Sequence, residues 1–362
     1  MVIATGSFLQ QALEDSLSNL RRVEDVPAAL ASHLLLELGR KPVMRELHHV
    51  DRVEEAAERW HSLGFVTCRG EEISEDQVTY ALLSKENATY TVRPLARHPV
   101  IERAVDLGGP LAERVLLDKR SPLYRLLARR FEADEEPVHA QVDHDDSERV
   151  KQRCTLYVSK DLKLAQTTRN LDRMAGGSHE DHTAELGDAL GYPRCCVKAY
   201  ASLERRWPNR LPIAAAAGRT QHFHPRLNNL CLKRFNWIGY FPCRFDCEPS
   251  LELAHAAAEM LERLNPELVR AIDALLALPR IYWHDDKQAV LLGAKRSGRE
   301  ITFDEASSLA SLWPHPGRAQ EEITELEGAR RLRLQERPQF YGASGKITLK
   351  TTPLVLPFMP GS

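Results

Sequence analysis

The chain has 362 residues, of which 43% are hydrophobic and 28% charged, with a formal net charge of −2. That length allows two or three domains with real cores, and the near-neutral charge argues against a general nucleic-acid binder, which carries a basic excess, while leaving room for a local basic patch. No apolar run reaches about 18 residues, so no membrane span is expected, and the first residues lack the basic-then-apolar opening of a secretory signal, so the expectation is a cytoplasmic protein.

In chain order, residues 1–40 read as helical, with Leu13, Leu17 and Leu20 spaced by three and four. An amphipathic helix is predicted from about Asp51, closed by Gly64. Strands are predicted at 65–70 and 77–85, joined as a hairpin by the polar turn 70–76. A short helix at 120–131 takes Ser121 as its cap and Pro122 in its first turn, and the acidic stretch 132–149 reads as a linker. Beyond it come a strand at 154–160, a helix at 161–175, a turn at 176–181 and a short helix at 182–191. Another helix starts at Pro193, and two more, at 250–264 and 266–278, are divided at Asn265-Pro266 because proline cannot continue the hydrogen-bond ladder. The end reads as strands at 281–294 and 346–358 around a short helix near 303–312. The expected class is α+β: an N-terminal α+β domain (1–135), an acidic linker (136–150), a mostly helical cysteine-motif domain (151–280), and a small C-terminal β-rich region and tail (281–362).

The cysteines carry the chemistry. Five of the seven fall between 195 and 247, and in a reducing compartment clustered cysteines point to metal or redox chemistry before disulfides. Cys195 and Cys196 follow Gly191-Tyr192-Pro193-Arg194 and fall in the first turn of a predicted helix. Cys243 and Cys247 form a Cys-x3-Cys motif just before another, with Ser250 as its expected N-cap. Free N–H groups and the positive end of the helix dipole favour anions there, so thiols at helix starts ionise more easily, and the thiolate is both nucleophile and metal ligand. Irregular spacing suits an iron–sulfur cluster. Structural zinc more often shows Cys-x2-Cys or Cys-x4-Cys pairs, and neighbouring side chains tend to diverge. Buried structural cysteines and a metal-free redox pair are the remaining readings. Cys231 lies in an apolar-periodic run and reads as core.

Other candidates flank these motifs. Asp181 and His182 lead into the cysteine pair and are candidates for acid–base work or an extra ligand. Arg194 and Arg244 sit inside the motifs and can raise the thiolate population or bind an anion. Asn228 follows His222 and His224 and can hydrogen-bond a substrate or a sulfur. The bland readings are a solvated turn and cap around 178–182 and surface residues elsewhere. No Walker A loop, Gly-x-Gly-x-x-Gly, His-Glu-x-x-His or Gly-x-Ser-x-Gly motif is present, nor is the Cys-x3-Cys-x2-Cys pattern of radical S-adenosylmethionine enzymes.

The run from about Asp181 to Leu275 resembles a sparsely characterised prokaryotic family. Its members carry Gly-Tyr-Pro-x-Cys-Cys, an Asn-containing stretch, then Pro-Cys-x3-Cys followed by Pro-Ser and a helix; here these are Gly191–Cys196, Asn228 and Asn229, Pro242–Cys247, and Pro249-Ser250. The resemblance covers about a quarter of the chain and implies that the cysteines act as a unit, but it brings no reaction with it. The preferred expectation is an enzyme or redox accessory protein with an iron–sulfur cluster or other metal on Cys195, Cys196, Cys243 and Cys247. It would act in redox or sulfur-transfer chemistry on a small metabolite, with a redox partner protein. The alternatives are a non-enzymatic, zinc-stapled interaction module and an RNA-binding protein using the locally basic segments 203–212 and 218–235.

Overall fold

Two strands far apart in the chain, Val43–His49 (β1) and Gln152–Ser159 (β3), pair antiparallel over seven residues, and Val66–Ser74 (β2) pairs antiparallel with the other edge of β3. The computed structural model describes residues 30–74, 99–117, 152–177, 182–203, 210–228, 236–284, 287–308 and most of 326–358. The chain contains both helices and antiparallel sheets, as an α+β fold requires. The helix Leu30–Glu37 (α1) precedes the first strand, and Val53–Ser62 (α2) and Pro99–Leu117 (α3) lie between the three strands, the last broken at Gly109, whose φ of +64° precedes Pro110. This sheet joins strands from both sides of the expected linker at 136–150, whose own residues lie outside the described set, as do the predicted strand at 77–85 and helix at 120–131.

The first sheet is buried on both faces. Met44, Leu156, Val158 and Trp60 fill one side, and Val43, Cys68, Tyr157 and Ala165 the other, under Leu162–Gly177 (α4). Two features of this sheet depart from the sequence reading. First, β2 runs on through the expected turn at 70–76 as far as Ser74, with its register shifting between Arg69 and Glu72. Gly70 permits this: a Cβ there would stand 3.1 Å from the Thr155 carbonyl oxygen, the close backbone approach that glycine allows at a bulge. Second, β1 has no counterpart in the sequence reading because its alternation is inverted: Glu46 is buried while Leu47 is exposed. The carboxylate is tolerated because Trp60 Nε1 donates to Glu46 Oε2 at 2.9 Å and His48 Nε2 lies 3.1 Å from the same oxygen.

The helix Thr183–Ala189 (α5) packs through Gly187 on Val197 of Arg194–Ala201 (α6), which with Arg210–Arg219 (α7), Glu248–Leu264 (α8) and Pro266–Leu276 (α9) joins α1 and α3 around one core. That core runs from Leu34 and Ala104 through Cys196, Phe245 and Leu261 to Leu275 and Tyr282. Asn265 caps α9 by accepting from the Leu268 N–H at 2.9 Å, so the predicted division of the two helices falls where the proline required. The C-terminal part forms two further antiparallel sheets. Arg280–His284 (β4), Lys287–Leu292 (β5), Glu305–Ser308 (β8) and Leu354–Leu356 (β12) make a four-stranded sheet in the order β12-β4-β5-β8. Its two faces serve different cores: Tyr282, Val290 and Leu356 pack on the helices, while Ile281, Leu291 and Val355 pack on the last sheet. The helix expected near 303–312 is therefore corrected over 305–308, which pair with β5 as a strand; 309–312 lie outside the described residues. Lys295–Ser297 (β6), Glu300–Thr302 (β7), Ala329–Arg333 (β9), Gln339–Gly342 (β10) and Gly345–Ile347 (β11) complete a five-stranded sheet in the order β11-β10-β9-β7-β6.

Burial alone raises the Glu46 pKa, but the hydrogen bond and charge of His48, with Arg59 and Trp60, outweigh it and hold the carboxyl below its ordinary value. A depressed carboxyl contributes stability above its unfolded pKa of about 4.3 and loses it as pH falls through the lower folded value. Trp60→Phe removes one donor to this carboxylate. The expected cost is about 1.5–3 kcal/mol in denaturant unfolding at neutral pH, shrinking as Glu46 protonates; a loss unchanged under acid would assign it to packing alone.

Candidate metal centre

The first turn of α6 places two of the cysteines. Gly191 ends α5 with a φ of +74°, and a Cβ there would lie 2.5 Å from Pro42 Cδ, so the turn demands glycine both for conformation and for contact. Gly187 lies inside α5, where its missing Cβ admits Val197. Tyr192 stacks on Tyr240 with ring centroids 4.6 Å apart, and Lys41 Nζ lies 4.5 Å from its centroid. Pro193 is the N-cap of α6, and its carbonyl accepts from the N–H groups of Cys196 and Val197. Each residue of Gly-Tyr-Pro thus fixes where the following Cys195-Cys196 pair points.

The second pair sits on a tight turn leading into α8. The helix begins at Glu248, three residues earlier than expected, so Cys247 itself is the N-cap, and Ser250, expected there, lies inside the first turn. Phe245, fully buried, anchors the turn between Phe223 and Phe358. Its N–H donates to Thr220 Oγ1 at 2.7 Å, and its carbonyl accepts from His224. Asp246 Oδ2 accepts from the N–H groups of Gln221 and His222.

Two helix starts therefore meet. Cys195, Cys196, Cys243 and Cys247 bring their sulfurs within 4.8 Å of one another, and such a cluster can hold a metal ion. The separations are 3.9 Å for Cys195–Cys196, 3.6 Å for Cys195–Cys247 and 3.7 Å for Cys196–Cys247. The adjacent pair does not diverge here, because in the first turn of α6 both sulfurs reach toward the N-cap of α8. The Cys243 N–H donates to Cys196 Sγ at 3.3 Å, and the Ser250 hydroxyl, which accepts from Tyr240 at 3.0 Å, lies 3.3 Å from the same sulfur. Cys196 and Cys247 are buried, Cys243 is half-buried and Cys195 is exposed.

The sulfurs do not titrate alike. The Cys196 thiol, donating to Cys247, pulls the latter's pKa down to about 4 against the cost of burial, with further help from Ser250 and Cys195. The same hydrogen bond, then burial, pushes Cys196 upward, while burial and the Cys247 charge push Cys243 up to about 12. Among Cys196, Cys243 and Cys247 the negative charge is favoured on Cys247.

The remaining sequence candidates among the described residues are not drawn into this cluster. His182 occupies the N-cap position of α5 without a capping side-chain bond, Arg194 opens α6 on the exposed side, and Arg244 pairs with Asp246 at 3.4 Å. Asn228 is fully buried and donates to the Leu276 carbonyl at 2.7 Å, at the end of α9. His224 accepts from the Arg226 N–H. Asp181 and Cys231 lie outside the described residues. Tyr192, Tyr240 and Lys41 are supporting residues that the sequence reading did not single out, and Ser250 was read there as a cap and not as a neighbour of the sulfurs. Tyr192 and Tyr240 lie within or beside the quoted motifs, whereas Lys41 carries no local signal at all. No family model, curated protein or solved structure matches the chain.

Gly191→Ala is expected to destabilise the protein by at least about 1–2 kcal/mol, the cost of a left-handed non-glycine residue, with the Pro42 contact added. Gly218→Ala, in α7 with open space around it, is expected to be neutral or stabilising by up to about 1 kcal/mol. Paired urea titrations check both; equal effects would contradict the role given to Gly191.

Proposed function

We propose that the four cysteines hold a single tetrahedral metal ion, best matched by zinc, and that the protein is a metal-stapled interaction module. The observation that carries this reading is the sulfur spacing. At a Zn–S bond of ~2.3 Å the edge of a tetrahedral four-sulfur site is about 3.8 Å; the three separations among Cys195, Cys196 and Cys247 lie within a few tenths of that value, and Cys243 lies within 4.8 Å of them. In a [4Fe–4S] cluster each terminal thiolate sits on a different iron, and in a [2Fe–2S] cluster the two pairs sit on different irons, so four mutually close sulfurs suit one ion better than either cluster. Four protein thiolates also fill every position of a tetrahedral ion, the closed arrangement of structural sites, whereas catalytic zinc keeps a position open.

The surroundings favour the same reading. Cys196 and Cys243 border a cleft with only about 200 Å³ of space, open solvent included, walled by Tyr200, Phe241, Pro212 and Arg219. Sites that enclose a metabolite are usually about 300–1,000 Å³. The staple would instead lock α6, the 241–247 turn and the start of α8 together. A second reading, sulfur transfer or redox chemistry at a thiolate, draws on one observation: Cys195 is exposed while its partners are not.

Protein purified without oxygen is expected to be colourless, with about one zinc per chain and no acid-labile sulfide. Cys243→Ser and Cys247→Ser should each lose the metal and more than about 4 kcal/mol of stability, the range left to lost metals and buried networks. Ligands must be deprotonated to bind, so affinity should fall as pH falls, with protons released on loading. A brown protein with iron and sulfide would move the reading to a cluster. Metal-free protein with a reactive Cys195, unaffected by added zinc, would leave only thiol chemistry.

A further inference from the structure

The five-stranded C-terminal sheet presents two very different faces. Its inner row, Ile301, Leu332 and Phe340 in direct register, is buried against Ile281 and Leu291. The next row along the strands points outward and reads Lys295, Thr302, Arg331, Tyr341 and Lys346, each directly opposite the next across all five strands. Lys295, Thr302, Arg331 and Lys346 are exposed and Tyr341 is half-buried. At about 4.8 Å per strand this row is roughly 19 Å long. The second outward row holds Ser297, Glu300, Arg333 and Gln339. Its one carboxylate is already occupied, since Arg333 binds Glu300 at 2.9 Å. Lys295, Arg331 and Lys346 have no ion pair among the described residues, and Arg299 and Arg330 add exposed charge beside them. In a chain whose net charge is −2, this concentration of cations on one face is local and one-sided.

We propose that this face binds single-stranded RNA. Its cations are spaced across a flat platform and interleaved with an aromatic ring, and Arg331 lies over that ring with its guanidinium carbon 5.0 Å from the Tyr341 centroid. Phosphates pair with such cations while unstacked bases lie on the tyrosine and guanidinium planes, the combination that single-strand binders use. An acidic peptide would use the charges but not the ring plane, and a duplex hides its base faces. Ser297, Thr302 and Gln339 offer hydrogen bonds to a 2′-hydroxyl, the group by which RNA is told from DNA. The surface is distinct from the basic segments at 203–212 and 218–235, and it stands independently of the metal.

The test is fluorescence anisotropy of the full chain with a labelled RNA of about twelve nucleotides, within the ~4–16 nucleotide footprint of comparable platforms. DNA of the same sequence, the RNA duplex and a polyglutamate peptide serve as competitors. Binding to the single-stranded RNA should weaken between about 50 and 200 mM salt with a logarithmic slope near −2, from three phosphate contacts at ~0.7 each. Lys346→Ala and Arg331→Ala should each flatten that slope by about 0.7. Tyr341→Ala should lower affinity roughly 5- to 100-fold, the stacking contribution of a base. All three positions lie on the sheet's outer face, and unchanged unfolding midpoints would verify that the fold is kept. RNA binding that is absent, or unaltered in the three variants, overturns the proposal. So does equal or better competition by the peptide, the duplex or the DNA.

Discussion

Sulfur atoms held less than 4.8 Å apart set the terms for the rest of the molecule. Two thiolates at about 4 Å repel by about 4 kcal/mol even at an effective dielectric of 20, so four cannot be ionised together without a cation among them. The fold nevertheless spends its most constrained local geometry on bringing them together. Gly191 adopts a left-handed turn against Pro42, Pro193 and Cys247 each take an N-cap position, and Phe245 is driven fully into the core beneath the Cys-x3-Cys turn. Helix starts supply partial positive charge that favours thiolates over thiols, and a metal cation held among the sulfurs would offset part of the remaining negative charge.

The same residues tie the chain together. Pro42 and Lys41 follow α1 and lead into β1, and they meet Gly191 and Tyr192 on the far side of the first sheet. Phe358, near the C-terminal end of the described chain, packs edge-on against Phe223 and Phe245. Cys196 and Cys247 belong to the hydrophobic core shared by α1, α3, α8 and α9. Disruption of the four-cysteine cluster would therefore reach both the segment leading into β1 and the packing around Phe358.

How much of this was legible in the sequence depends on whether the deciding contact is local. The helices α4, α5, α6, α8 and α9 and the strands β3, β4 and β5 follow from periodicity, from Gly191 and from Asn265-Pro266, all of which act within a few residues. The meeting of Cys195-Cys196 with Cys243 and Cys247 followed from two motifs placed at two helix starts. What sequence could not supply was pairing at a distance. Among the described residues β2 finds its partner in β3, far along the chain, and β1 hides a glutamate that Trp60 and His48 make tolerable. The bond from Asn228 to the Leu276 carbonyl likewise spans 48 residues. The 305–308 segment became a strand because β5 offered it an edge.

X-ray absorption at the metal edge of the purified protein tests the central claim most directly, since it counts the atoms around the ion without disturbing them. The account predicts a zinc edge with four sulfur neighbours at about 2.3 Å and no second metal in the next shell. Nitrogen or oxygen in the first shell, or iron with a metal neighbour beyond the sulfurs, would contradict it.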